Sequence, residues 1–269
     1  LAVVHGPKIG GEVFDAMPKL KLVVTRSTGY DHIDLAEAEK RGIAIGNVPE
    51  YGSTTVAEFT FGLILALTRK IPQAVASTRD GGFSVKGLTG IDLEKKTLGI
   101  VGLGKIGRNV ARMAKGFAMD VLSYDPYKPD STPLDELLAE ADVVALCCPL
   151  TPETRHLIDA RTLSLMKEGS YLVNTARGPV VDSAALLEAL ESGRLAGAAL
   201  DVLEGEEALQ AGESDTHEAV NRTLMSHAKV LVTPHLAFDS EEALVRIRET
   251  TVEVLQAFAK GDVLNTVSS

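Results

Sequence analysis

Eight short, largely apolar runs, most of them apolar on both alternations, alternate with helical patterns along this chain: residues 21–27, 43–48, 97–102, 120–125, 142–148, 170–176, 196–202 and 229–234. A strand with one wet face alternates apolar and polar residues, so runs with apolar residues on both alternations belong to sheets covered on both faces. Strand and helix in alternation specify βαβ units, and therefore parallel sheets. Between residues 48 and 97 the strand pattern stops, and a long helical pattern begins near Ser53. The expected architecture is α/β, with two doubly wound parallel-sheet domains on either side of that helix.

Helical patterns end on Gly42, Gly116 and Gly193, the residue type that stops a helix most readily. Pro72 is expected to kink or break the helix begun near Ser53, and "RDGGFS" then punctuates the chain. The last helical pattern follows Asp239 and has no strand left to serve in the second sheet, so it is expected to return to the first. The expected boundaries are 1–51 with 239–269 for one discontinuous domain and 52–238 for the other. Domain motion about residues near 52 and 238 is the consequence.

"TLGIVGLGKIGRNVARMAKGF" places Gly102, Gly104 and Gly107 in G-x-G-x-x-G spacing, directly after a strand pattern and opening a helical one with Lys105 and Ile106. The spacing alone is common. In that context it forms a cradle for a pyrophosphate at a helix N-terminus: Gly102 allows the tight turn, Gly104 leaves room for the phosphates, and Gly107 lets helix and strand pack closely. An acid at the end of the next strand completes the fingerprint, and Asp125 stands there. Its carboxylate suits ribose hydroxyls and repels a 2′-phosphate; no arginine follows nearby, which points to NAD rather than NADP, with Lys128 the one softening influence. Ligands of open parallel sheets lie at the carboxyl ends of the strands, so Cys147, Cys148, Pro149, Thr175, Ala176 and Asp201 are expected beside the cofactor. For the cysteines, plain packing at a strand end is an equally good reading.

Composition removes other classes. The chain has 269 residues, 45% of them hydrophobic, and a formal net charge of −10, with no clustered basic run to grip a nucleic acid backbone. The most apolar segment, 59–67, is about half the length that spans a bilayer. No membrane or nucleic acid partner is expected. No signal peptide is recognised at the start. The two cysteines are adjacent, which suits neither a disulfide framework nor a metal site, and a reducing cytoplasmic setting is expected with no metal.

Three further strand ends carry groups suited to moving hydrogen between an alcohol and a carbonyl. His235, in "TPHLAF", has the pKa range of a proton donor and acceptor. Arg177, in "NTARGPVVD", offers the fork that grips a carboxylate. An acid in "DVLEGEE", either Glu204 or Glu206, would hold a histidine in one tautomer and raise its pKa. Each alone has a bland alternative: a loop histidine, a surface arginine, a solvated acidic turn. Their joint placement at one sheet edge favours chemistry.

These residues stand in seven stretches, "TRSTGYDHID", "NVPEYGSTTVAEFTFGLILAL", "GIVGLGKIGRNVA", "PLTPETRHLI", "LVNTARGPVVD", "ALDVLEGE" and "VTPHLAF", which in this order resemble the NAD-dependent D-2-hydroxyacid dehydrogenases over essentially the whole chain. The resemblance implies a Rossmann coenzyme domain, a flavodoxin-like substrate domain and a homodimer. It implies that Arg177 binds the substrate carboxylate and carbonyl oxygen, that His235 is the acid/base and Glu206 its partner, and that Asp201 orients the nicotinamide carboxamide. The backbone N–H groups of Thr28 and Gly29 would hold the substrate carboxylate. Phe238 and Tyr51 match the pocket of the lactate-type members, whose aromatic wall suits a methyl-sized side chain, so pyruvate and D-lactate are the expected pair. Glyoxylate, hydroxypyruvate or phosphoglycerate remain alternative substrates, and an NAD(H)-sensing dimeric scaffold is the alternative outside catalysis. The helix 55–68 is a candidate dimer surface, with burial in its own chain the competing reading. Two departures stand out: Cys147 replaces a frequent histidine, and the chain begins near the family's second strand, as though one βα unit were missing.

Overall fold

The apolar runs form two separate parallel sheets in the computed structural model, which describes residues 1–3, 8–262 and 264–267. The first unit comprises Leu1–Gly52 and Asp239–Ser269. In it β1 (Ala2–Val3), β2 (Leu22–Thr25) and β3 (Ala44–Gly46) pair in that order, joined through α1 (Gly11–Ala16) and α2 (Leu35–Lys40). Successive residues of β2 point to opposite faces. Val23 accordingly packs with Phe14, Ile33, Ala38 and Ile45, while Leu22 and Val24 pack with Val254. The side chain of Asp34 caps α2 by accepting the Glu37 N–H at 2.9 Å, a bond worth about 1 kcal/mol.

The second unit is Ser53–Phe238. Its elements are α3 (Ser53–Thr68), α4 (Ile71–Arg79), β4 (Thr97–Val101), α5 (Lys105–Gly116), β5 (Asp120–Tyr124), α6 (Leu134–Glu140), β6 (Val143–Leu146), α7 (Ala160–Leu165), β7 (Ser170–Asn174), α8 (Ser183–Glu191), β8 (Leu195–Leu200), α9 (Glu206–Ala211), α10 (Glu218–Ser226) and β9 (Val230–Val232). The chain re-enters the first unit as α11 (Glu241–Ala259), the helix that supplies Val254.

The six strands stand in the order β5-β4-β6-β7-β8-β9, all parallel. Helices cover both faces. Leu98 and Ile100 of β4 pack with Phe61, Ile64 and Leu67 of α3 and Val110 of α5, whereas Val144 and Leu172 meet Leu137, Leu163 and Leu186 from α6, α7 and α8. Each such side chain, fully buried, contributes about 1.5–3 kcal/mol. Because β4 lies between β5 and β6, the strand order reverses at its end, which opens a crevice at the carboxyl edge beside Gly102.

Local structure departs from the sequence expectation in three places. Pro72 does not break a running helix: α3 has already ended at Thr68, Lys70 takes a left-handed φ of 53°, and the proline falls in the first turn of α4, where its missing N–H costs nothing. β1 is two residues long, too short to show a period. The short helices α1, α7, α9 and α10 were not expected either, because six to nine residues span too few turns for an apolar stripe to stand out. No helix of the described residues is long and apolar enough to cross a membrane.

Candidate active site

The second unit's carboxyl edge begins with the glycine turn. Gly102 has φ 96°, and a Cβ there would lie 2.7 Å from the Cys148 nitrogen, so the turn closes directly on the end of β6. A Cβ on Gly107 would lie 2.1 Å from the Gly102 carbonyl, which makes glycine obligatory where α5 crosses the turn. Gly104 is different. It caps α5 without a side-chain hydrogen bond, and nothing lies within 4 Å of where its Cβ would be. The first turn of α5, with Lys105 and Ile106, holds no acid. Open space, an N-cap that brings no side chain and the helix dipole together suit a pyrophosphate. Asp125 closes the turn from the other side: Oδ2 accepts the Leu103 N–H and Oδ1 the Tyr127 N–H, each at 3.0 Å.

Cys147 and Cys148 follow β6. Burial pushes their thiols up to about 12 and about 11, so neither is a nucleophile near neutral pH. Pro149 follows, its carbonyl accepting the Thr154 hydroxyl at 2.7 Å. At the end of β7, Thr175 Oγ1 lies 2.8 Å from Thr60 Oγ1 of α3, and Ala176 is buried. The Asn174 side chain accepts the Ala176 N–H at 3.0 Å and donates to the Arg177 carbonyl at 2.9 Å, which fixes the turn that carries Arg177.

β8 ends on Asp201, only 1% exposed. Oδ1 accepts the Thr233 hydroxyl at 2.5 Å and the Leu236 N–H at 3.0 Å, Oδ2 accepts the Ala237 N–H at 2.9 Å, and the Asp201 carbonyl takes the His235 N–H at 2.8 Å. Asp201 thus pins the 233–237 turn, in which His235 adopts a left-handed φ of 53°. This structural task is additional to the expected one.

The choice between the two acids of "EGE" is resolved. Gly205, at φ 68°, reverses the chain between them and starts α9. Glu206 Oε1 lies 2.5 Å from His235 Nδ1, while Oε2 accepts the Leu203 N–H at 3.1 Å. Glu204 points elsewhere, to His156 Nε2 at 2.7 Å. Burial by itself lowers the pKa of His235, but the hydrogen bond and charge of Glu206 outweigh it and the net shift is upward; Arg177 opposes the rise and Asp201 adds to it. Phe238 stands edge-on to the imidazole, with ring centroids 6.4 Å apart and planes at 80°.

The first unit carries Thr28, Gly29 and Tyr51. The Thr28 hydroxyl donates to the Val48 carbonyl at 3.2 Å, its carbonyl accepts the Asn47 amide at 2.9 Å, and the Gly29 carbonyl accepts the Ser27 hydroxyl at 2.6 Å. The Tyr51 carbonyl accepts the Arg246 Nε–H at 2.6 Å. Among the described residues no group of three or more His, Cys, Asp or Glu is placed to hold a metal ion. Sequence reasoning missed Asn174 and His156; the second lies inside the quoted "TRHLI" stretch, but nothing local says what an isolated histidine there would meet.

Comparison with known proteins identifies the family. Residues 61–237 match the family model for the D-isomer specific 2-hydroxyacid dehydrogenase NAD binding domain. A D-lactate dehydrogenase kk1H from Curvularia clavata is 42% identical, covering 90% of this chain and 72% of that protein. A glyoxylate reductase from Thermofilum pendens is 42% identical, covering 95% of this chain and 76% of that one. The crystal structure of D-lactate dehydrogenase from Aquifex aeolicus, complexed with NAD and lactic acid, superposes with a TM-score of 0.91 at 41% identity over 97% of this chain and 83% of that one. With NAD as its cofactor and a Rossmann-type sheet to hold it, this chain belongs to the D-isomer specific 2-hydroxyacid dehydrogenase family.

Proposed function

We propose that the enzyme interconverts pyruvate and D-lactate. The observation that carries this reading is the Glu206–His235 pair with Phe238 set edge-on to the imidazole: an acid/base beside an aromatic wall that suits a methyl-sized side chain and brings no cation for a phosphate. The resemblance of the Tyr51 and Phe238 stretches to lactate-type members supports it further.

NAD, when bound, supplies or takes back the hydride at the substrate's second carbon. The residues that would hold it are Gly102, Gly104, Lys105, Ile106 and Gly107 for the pyrophosphate, Asp125 for the ribose, Cys148, Pro149, Thr175 and Ala176 along the strand ends, and Asp201 for the nicotinamide carboxamide. Arg177 grips the substrate carboxylate and polarises the carbonyl oxygen; the family resemblance also gives the N–H groups of Thr28 and Gly29 a carboxylate-binding role. With Nδ1 engaged by Glu206, His235 works through Nε2: the imidazolium gives its proton to the oxygen during reduction, and neutral imidazole takes it during oxidation. Glu206 keeps the imidazolium favourable and the ring oriented.

The deciding experiment is NADH oxidation with pyruvate, hydroxypyruvate, glyoxylate, phenylpyruvate and branched 2-oxo acids. Pyruvate is expected to have the highest kcat/KM. A preference for glyoxylate, the substrate named for some relatives, would replace the pyruvate reading. Tight NADH binding with no turnover of any 2-oxo acid would favour the scaffold.

We also propose a homodimer and a cytoplasmic setting. The candidate helix α3 supplies Ala57, Phe61, Leu63, Ile64 and Leu67 to its own unit's core, so it is a poor choice of interface. The exposed apolar groups lie on the segment that follows: α4 buries no residue and exposes Ile71 and Val75, and Phe83 and Val85 are 98% and 87% exposed. Such a patch marks an interaction site. Sedimentation of Phe83→Asp should then give a smaller species than the parent. Two unbonded cysteines suit a reducing compartment.

A further inference from the structure

The second unit holds another buried carboxylate for which hydrogen transfer has no direct use. Glu204 is 3% exposed. Oε1 lies 2.7 Å from His156 Nε2; Oε2 accepts the Ser183 N–H at 3.1 Å and lies 3.9 Å from His217 Nδ1. Its carbonyl accepts the side-chain amide of the buried Asn221 at 2.7 Å. The neighbouring acid is Asp215, whose Oδ1 takes the His217 N–H at 2.9 Å and whose Oδ2 would lie 2.0 Å from a Cβ on Gly205. Burying a carboxylate costs several kcal/mol unless it is paired and bonded, so the partners of Glu204 are what hold it at this buried place.

Glu204 stands at a junction. A Cβ on Gly178 would lie 2.0 Å from the Leu203 carbonyl oxygen and 2.6 Å from the Glu204 nitrogen, so the residue after Arg177 packs flush on the backbone that leads to Glu206. His156, the partner of Glu204, donates its own N–H to the Pro179 carbonyl at 2.8 Å, and Ile158 bridges to Val181. The pair therefore ties the segment after Arg177 to the segment that delivers Glu206 to His235.

We propose that Glu204 and His156 are positioning residues, which set the spacing between Arg177 and the Glu206–His235 pair. The inference rests on the roles given above to Arg177, Glu206 and His235. A displacement near 1 Å at such a site costs about 10²-fold in rate. Loosening the clamp also weakens the Glu206 contact, and with it the upward pull on the His235 pKa.

The test compares Glu204→Gln, His156→Ala and His156→Gln with the parent enzyme, reading kcat, KM, the pH profile of 2-oxo acid reduction and NADH affinity by fluorescence titration. Glu204→Gln and His156→Ala should lower kcat by about 10–100-fold and move the upper pH limit of reduction downward by roughly half a unit or more, with NADH affinity unchanged. His156→Gln, whose amide nitrogen reaches the place of Nε2, should recover most of the loss. If Glu204→Gln does not fold, the His156 pair carries the test. Parental kcat and pH limit in Glu204→Gln or His156→Ala would overturn the proposal. So would a fall in activity and NADH affinity together at an unmoved pH limit, the mark of a merely structural role. Near-parental activity of His235→Gln would overturn the underlying assignment instead.

Discussion

Glu206 Oε1 lies 2.5 Å from His235 Nδ1, and both partners of this contact are held by backbone. Glu206 is steadied through its second oxygen by the Leu203 N–H, and His235 by the turn that Asp201 pins. A left-handed backbone at a non-glycine residue costs about 1–2 kcal/mol, so the Asp201 bonds have strain to offset at His235 as well as a ring to orient. The imidazole is thereby held in place for the acid/base role proposed for it.

His235→Gln should lower turnover by about 10²–10⁴-fold, the usual range when a general acid–base group is lost. Steady-state kinetics with saturating NADH check this, and a loss of only a few-fold would remove His235 from the mechanism.

The pKa of His235 is raised above 6.5, and the proposed mechanism uses the protonated ring for reduction. Reductive activity should therefore be full below the raised value and fall as pH increases through it, with oxidation favoured on the alkaline side. Glu206→Gln removes the stabilising charge, so its reduction profile should end at lower pH than the parent's. The same linkage acts on stability: the pair's contribution is fully present below the unfolded value near 6.5 and is lost as pH rises through the folded one. Chemical denaturation across that window should show the decline in the parent and a flatter profile in Glu206→Gln.

Asp125 should make the enzyme prefer NADH to NADPH by about tenfold or more in kcat/KM, equivalent to at least about 1.4 kcal/mol of like-charge repulsion at the 2′-phosphate. Asp125→Ala should narrow that ratio, chiefly through KM for NADPH. Equal use of both cofactors by the parent would contradict the assigned ribose contact.

The two cysteines should resist alkylation in the native enzyme at pH 8, because burial holds the thiols up near 12 and 11 and leaves almost no thiolate. Mass spectrometry after iodoacetamide should find both labelled only in denaturant. Labelling of the native protein at the rate of a free thiol would show that the end of β6 opens.

Much of the fold was legible from local pattern. Strands apolar on both alternations and the Gly102-x-Gly104-x-x-Gly107 turn declare themselves because period and φ requirements act over a few residues. Asp125, Arg177 and His235 were found as strand-end residues for the same reason. The acids of "EGE" show where local reading stops. Glu204 and Glu206 are chemically alike and two residues apart, and only the left-handed Gly205 and the tertiary packing of the segment send one to His235 and the other to His156. Likewise apolarity alone made α3 a candidate interface, whereas packing buried it and left α4 and Phe83 exposed. The sequence by itself determined the element types, the glycine turn and the candidate site residues, since these depend on neighbours along the chain. Which side chains meet was decided by the tertiary structure, because a hydrogen bond at 2.5 Å between residues 29 apart depends on the packing of every element between them.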